Sequence, residues 1–103
     1  MNVGDIRTII TDIDPEAKHY LTTLDGESYT VWAEIRRTGL EADDGYAELG
    51  WEFDVIRYTT DEFDEMPQKI EDALIEHPLI AFTYTVDVDP ESGYIVHLFN
   101  CVG

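Results

Sequence analysis

The sequence predicts an α+β domain: a mainly antiparallel sheet with two helices packed on one face, in the order α-β-β-β-α-β-β. Three observations carry that prediction. Apolar residues recur at helical spacing in two short segments. They alternate with polar residues over one long central run, and turn-forming residues separate the remaining apolar stretches. The chain has 103 residues, 44% apolar and 12% aromatic, which gives room for a single domain over 1–103 and enough apolar surface to fold it.

The elements follow in order. Val3, Ile6, Ile9, Ile10 and Ile13 keep a helical spacing, and Asp14-Pro15 ends it. A strand is predicted from about Lys18 to Leu24, and Asp25-Gly26 then reads as a two-residue hairpin turn. The return strand, Ser28 to Ile35, places Tyr29, Val31, Ala33 and Ile35 on one face and Thr30, Trp32 and Glu34 on the other. Gly39 to Gly45 is a polar loop. A long strand over about Ala47 to Tyr58 turns Leu49, Trp51, Phe53 and Val55 to the core, with Glu48, Gly50, Glu52 and Asp54 between them. Thr59 to Asp64 offers capping residues, and Pro67 is tolerable only in the first turn of a helix. That helix spans about Glu65 to His77, with Met66, Ile70, Ala73 and Leu74 inward and Pro78 as its stop. Strands over about Leu79 to Val88 and Tyr94 to Val102 flank the turn Asp89-Pro90-Glu91-Ser92-Gly93.

Charge is the compositional anomaly. Six basic residues stand against 23 acidic ones, a formal −17. Such a chain lacks the basic stripe that direct phosphate binding needs, while its solubility and choice of partners are set by the negative field. Cys101 is the single cysteine, so no internal disulfide is available and nothing points to an oxidising compartment. No apolar run approaches the ~20 residues of a membrane span, and the start carries no signal-peptide pattern. A soluble protein made in a cytoplasm, with no membrane partner, is expected.

No constellation of residues specifies catalysis. Asp87-x-Asp89-x-Glu91 begins like a calcium loop but has Ser92 where the turn glycine belongs and Leu98 where the distal acid belongs. His19, His77 and His97 lie far apart without a second ligand at metal spacing. His77 reads instead as a favourable charge at a helix C-terminus. His97 and Cys101 share a strand face but stand ~13 Å apart. The expectation is a non-enzyme with no cofactor and no metal. Trp32 is either covered by a helix or, with Glu34, a contact for a partner. The carboxylates gather in connections: Glu41, Asp43 and Asp44; Asp61, Glu62, Asp64 and Glu65; and Asp87, Asp89 and Glu91. They are solvated loops or a surface that repels or imitates DNA, and the first two groups are the candidate acidic surface.

With these segments placed, the chain resembles the tail-terminator, or tail-completion, proteins of long-tailed bacteriophages. The resemblance runs from Tyr29-Thr30-Val31-Trp32-Ala33-Glu34 through Ala42-Asp43-Asp44 to Phe53-Asp54-Val55-Ile56-Arg57-Tyr58-Thr59. It ends in the closing hairpin Asp89-Pro90-Glu91-Ser92-Gly93-Tyr94-Ile95-Val96-His97, and covers about three-quarters of the chain in order. The heavy acidity departs from the family pattern. The resemblance implies a virion structural protein, made in the host cytoplasm and residing in the tail. It would form a homo-oligomeric ring, typically of six copies, that caps the tail tube and joins it to the head connector. DNA would pass through without specific binding, kept off a carboxylate-lined lumen across a Debye length of ~8 Å. The alternative is an acidic phage protein that mimics DNA and occupies a basic groove of a host defence or regulatory protein.

Overall fold

The computed structural model describes residues 1–20, 26–41 and 47–103, apart from the side chains of 39–41 and 47–49. Seven elements follow one another: α1 (Val3–Ile13), β1 (Lys18–His19), β2 (Ser28–Glu41), β3 (Ala47–Thr59), α2 (Met66–Glu76), β4 (Ala81–Val88) and β5 (Ile95–Val102). They form a five-stranded sheet in the order β1-β2-β3-β5-β4, antiparallel except at β1. The α+β architecture with the order α-β-β-β-α-β-β is therefore the one the sequence predicts.

Local chemistry accounts for the helix ends. Asn2 caps α1, accepting the Asp5 N–H while the Asp5 carboxylate accepts that of Asn2. At α2 the capping falls to Asp64, whose carboxylate accepts the Met66 N–H, and Pro67 occupies the first turn where its missing donor costs nothing. Ile6 and Ile10 of α1 and Ile70 and Leu74 of α2 are buried against Trp32, Phe53, Val55, Phe99 and Cys101 of the sheet. Cross-strand register explains why these meet. Trp32, Val55, Phe99 and Tyr84 lie opposite one another across four strands, and Phe53, Cys101 and Phe82 across three. One face of the sheet is thus a continuous apolar layer under both helices.

Two sequence expectations need correction. β1 is two residues long and joins β2 in parallel, Lys18 opposite Val31 and His19 opposite Trp32, so it is not the first arm of an Asp25-Gly26 hairpin. Tyr20 takes φ 56°, which turns the chain out of the strand at once. Leu21 to Asp25 lie outside the described residues. β2 is longer than the predicted Ser28–Ile35 because a bulge between Glu34 and Arg36 lets pairing resume to Glu41, within the stretch expected to be loop. The bulge also ejects Ile35 from the alternation, leaving it half exposed. From Trp51 back to Ala47, β3 has β2 and Gly103 as its neighbours among the described residues, the latter through Trp51 N–H to Gly103 O (2.8 Å) and its reciprocal (3.0 Å). Gly50 permits that approach: a Cβ there would stand 2.5 Å from the Gly103 carbonyl oxygen.

Phe53 and Val55 are fully buried, as the alternation predicts, whereas Trp51 is half-buried with the Arg37 guanidinium 4.7 Å above its ring. The Leu49 side chain lies outside the described residues. Met66 packs at the core's edge, and Ala73 lines the groove between the helices with Ile9, Ile13 and Lys69.

Candidate functional site

Three side-chain clusters surround the core. The first fixes the β1 edge. Trp32, which the sequence leaves as either core or contact, is 2% exposed, and so is removed from any partner. The His19 ring stacks on it at 3.8 Å and 6°, with Tyr20 stacked on the other side at 3.7 Å. Glu34 closes the cluster: His19 Nε2 lies 2.6 Å from one carboxylate oxygen and the Tyr20 hydroxyl donates to the other. Burial would raise the Glu34 carboxyl, but the bonds from Tyr20 and His19 outweigh it and hold the group below the usual carboxylate range. Glu34 is thus committed within the chain. As an interface the Trp32–Glu34 pair is corrected to an internal clamp, because β1 and the helices cover this side of β2.

The second cluster is a polar node on the helix-covered face. Arg57 of β3 donates through Nε to Asp64 (2.7 Å) and through Nη1 to Thr30 (3.1 Å), with Asp14 at the end of α1 3.6 Å away. Asp64 is desolvated, which would raise its pKa, yet the Arg57 bond and the Met66 N–H hold it low. The node ties both helices to β3. Asp64 therefore leaves the candidate acidic surface, since its charge is spent inside the fold.

Chain direction builds the third cluster. β2 starts, β3 ends, β4 ends and β5 starts at the same end of the sheet, where Ser28 pairs with Thr59, Thr59 with Ile95, and Ile95 with Val88. The β3–α2 connection and the β4–β5 turn therefore converge there. They bring Asp61, Glu62 and Glu65 to the same pole as Glu27, Asp87, Asp89 and Glu91, all exposed. Glu41 falls at the opposite end of β3, a distance of roughly 40 Å for a strand of this length. The side chain of Glu41, and Asp43 and Asp44 altogether, lie outside the described residues. Glu41 is accordingly far along the sheet from Asp61, Glu62 and Glu65. The described pole is Asp61, Glu62 and Glu65 joined by residues that sequence spacing could not connect to them. Only the antiparallel return of β4 and β5 does so.

Beside this pole, the sheet face away from the helices carries aromatic and aliphatic groups. Tyr29, Tyr58 and Tyr94 form a trio with ring centroids 4.9, 5.8 and 6.3 Å apart, and the Tyr94 hydroxyl donates to the Gly26 carbonyl. Burial pushes the Tyr29 hydroxyl up to about 12, and it has no hydrogen-bond partner among the described residues. Val31, Ile56 and Leu98 continue the patch along one cross-strand row, and Ala33, Asp54 and Asn100 begin its polar border in the next. There Asn100 donates to Asp54 (2.9 Å) and Glu52 (3.1 Å), and Arg36 to Glu52 (2.6 Å). Neither helix lies on this face among the described residues. The tyrosines were visible in the sequence only as alternating residues of three separate strands.

The titratable groups considered for chemistry are engaged elsewhere. His97 Nδ1 bonds the Tyr84 hydroxyl (2.6 Å), and burial lowers its pKa. Cys101 is fully buried, its thiol pushed up to about 12 and directed to the Phe99 carbonyl. The Asp89 carboxylate accepts from Glu91 N–H (3.0 Å) and Ser92 Oγ (2.8 Å), closing its own turn, while Gly93 supplies φ 76°. His77 caps the C-terminus of α2. The arrangement offers surfaces of opposite character side by side, one acidic and one apolar. No protein-family model matches the chain, and no curated protein matches it in sequence.

Proposed function

We propose that this chain is a non-enzymatic structural protein of the tail-terminator kind, forming a ring that caps a phage tail tube and joins it to the head connector. The observation that carries the reading is the acidic pole bordering a tyrosine-bearing sheet face on which, among the described residues, neither helix lies. A ring over a DNA passage needs both. The apolar face supplies the contact between neighbouring proteins, for which tyrosines are well suited. The pole supplies a surface that DNA phosphates avoid, because its carboxylates repel them over a Debye length. Arg57, at the pole's end of β3, fits this, since Asp64 and Asp14 neutralise it.

The test is electron microscopy of the protein mixed with tail tubes. Rings at tube ends, lost in a Tyr58→Ala variant that remains folded, support the reading. Bare tube ends at every ratio of protein to tube would sink it. The same pole also suits a DNA mimic, which would instead bind a basic protein groove as one or two copies, more weakly as salt rises.

A further inference from the structure

We infer that the free protein pairs with a second copy through the outer edge of β4, forming a two-fold dimer in which the two sheets become one. β4 ends the sheet, and no described residue pairs with its outer side. Exposed edges are ordinarily guarded by lysine, proline, a bulge or a very short strand. This edge runs for eight residues, Ala81-Phe82-Thr83-Tyr84-Thr85-Val86-Asp87-Val88, pairs with β5 without a register shift, and has one charge. The Asp89 N–H donates to Tyr94, so the odd-numbered residues bond β5 and Phe82, Tyr84, Val86 and Val88 direct their N–H and C=O groups outward.

Apolar side chains flank the same edge. Val86 and Val88 are 55% and 58% exposed, and Leu79, just before the strand, is 73%. Ile75 of α2 is 64% exposed and lies one turn beyond Glu71, whose charge acts on Tyr84 of β4. Four of the eight exposed large apolar residues among the described residues thus border one strand, and a second copy's edge would cover them.

Charge selects the occupant. Each copy carries −17, so another copy can approach closely only where no carboxylates meet. Along the strand itself, where Asp87 is the one charge, an antiparallel register centred on Thr85 meets that condition. Val86 falls opposite the second copy's Tyr84, Val88 opposite its Phe82, and Asp87 opposite its Thr83. The contact is isologous and closes at two copies, so it is not a ring contact and concerns the chain before assembly.

Sedimentation of the pure protein from about 0.05 to 1 M salt tests the inference. A two-copy species is expected that tightens as salt screens the repulsion between copies. Val86→Pro removes one outward N–H at an edge position that tolerates proline, and should weaken the dimer about tenfold or more. Should that variant fail to fold, Ile75→Glu, on an exposed helix face, should weaken it by adding like charge at the junction. A monomer at every salt, or a dimer indifferent to both substitutions, would overturn the inference. Capping of tail tubes by Val86→Pro is expected to persist, so loss of the dimer and loss of the ring are separate results.

Discussion

The two faces of the sheet are built from the same strands, with similar numbers of large side chains, yet they answer to different demands. On the helix-covered face Trp32, Phe53, Val55 and Phe99 are removed from water by α1 and α2, and Arg57 there is matched by two carboxylates and a hydroxyl. On the other face, where neither helix lies among the described residues, Val31 is buried and Ile56, Tyr58 and Leu98 are partly buried, while Asn100 and Arg36 pair with Glu52 and Asp54 at the border. Coverage by a second layer separates residues that hold the fold from residues able to meet a partner.

The sharpest way to break this comparison is to truncate one residue on each face of β3. Phe53→Ala is expected to cost about 3–5 kcal/mol, the range for a fully buried aromatic. Ile56→Ala should cost less, about 1 kcal/mol, because a partly buried side chain gives up only part of its transfer free energy. Chemical denaturation of the two variants measures both. Equal losses would mean that the second face is covered as well.

The Arg57 node comes next in size. Asp64→Asn leaves a guanidinium largely removed from water with the Thr30 hydroxyl and the more distant Asp14 carboxylate, and should cost roughly 2–4 kcal/mol, somewhat less than the ~3–5 of a wholly buried pair. Its pH signature identifies it. The Asp64 carboxyl titrates below its ordinary range in the folded protein, so its stabilisation is complete above the unfolded value near ~4 and disappears as pH falls through the folded one. His97 acts at higher pH: its folded pKa is lowered, so the unfolded chain takes up the proton first and stability declines below about 6.5. Melting curves against pH should show His97→Gln flattening the upper part of the acid limb and Asp64→Asn the lower part. Relief of the general negative charge on acidification acts oppositely in parent and variants alike, so the difference between curves is the informative quantity.

These residues also mark how far the sequence could be read. Period-two alternation located Phe53 and Val55, and helical spacing located Ile6, Ile10, Ile70 and Leu74, because burial on one face repeats within a single element. The parallel pairing of β1 was not legible, since it depends on Lys18 and His19 finding Val31 and Trp32 across a connection, whereas Asp25-Gly26 is a strictly local signal. Trp32 could be narrowed to two states, and the stacked His19 and the helices decided between them. The acidic pole was half legible. Asp61, Glu62 and Glu65 stood out as a run, but Glu27 and Asp87 join them only through strand order and direction. Asp64 belonged to the same run and was lost to Arg57, a pairing that local charge density conceals.

The smallest expected effect on stability, and the most telling for function, lies at that pole. The variant Asp61→Asn/Glu62→Gln/Glu65→Gln moves the formal charge from −17 to −14 by neutralising three carboxylates. All three are exposed, and an asparagine at 61 keeps the oxygen that accepts the Phe63 N–H, so the melting free energy should change by no more than about 0.5 kcal/mol. Assembly is where the change is felt. In a ring, neighbouring poles face a shared passage and repel, so the variant should cap tail tubes at lower salt than the parent and with a shallower salt dependence. DNA passage through such particles should then slow, as phosphates meet a weaker repulsive lining. If the pole instead imitates DNA, the same variant should bind a basic groove less tightly, and added salt should loosen the parent complex. The sign of the salt effect on assembly, measured for parent and variant side by side, therefore separates the two uses of the same carboxylates. Capping that is indifferent to both salt and substitution would remove the pole from the proposed function while leaving the tyrosine-bearing sheet face in it.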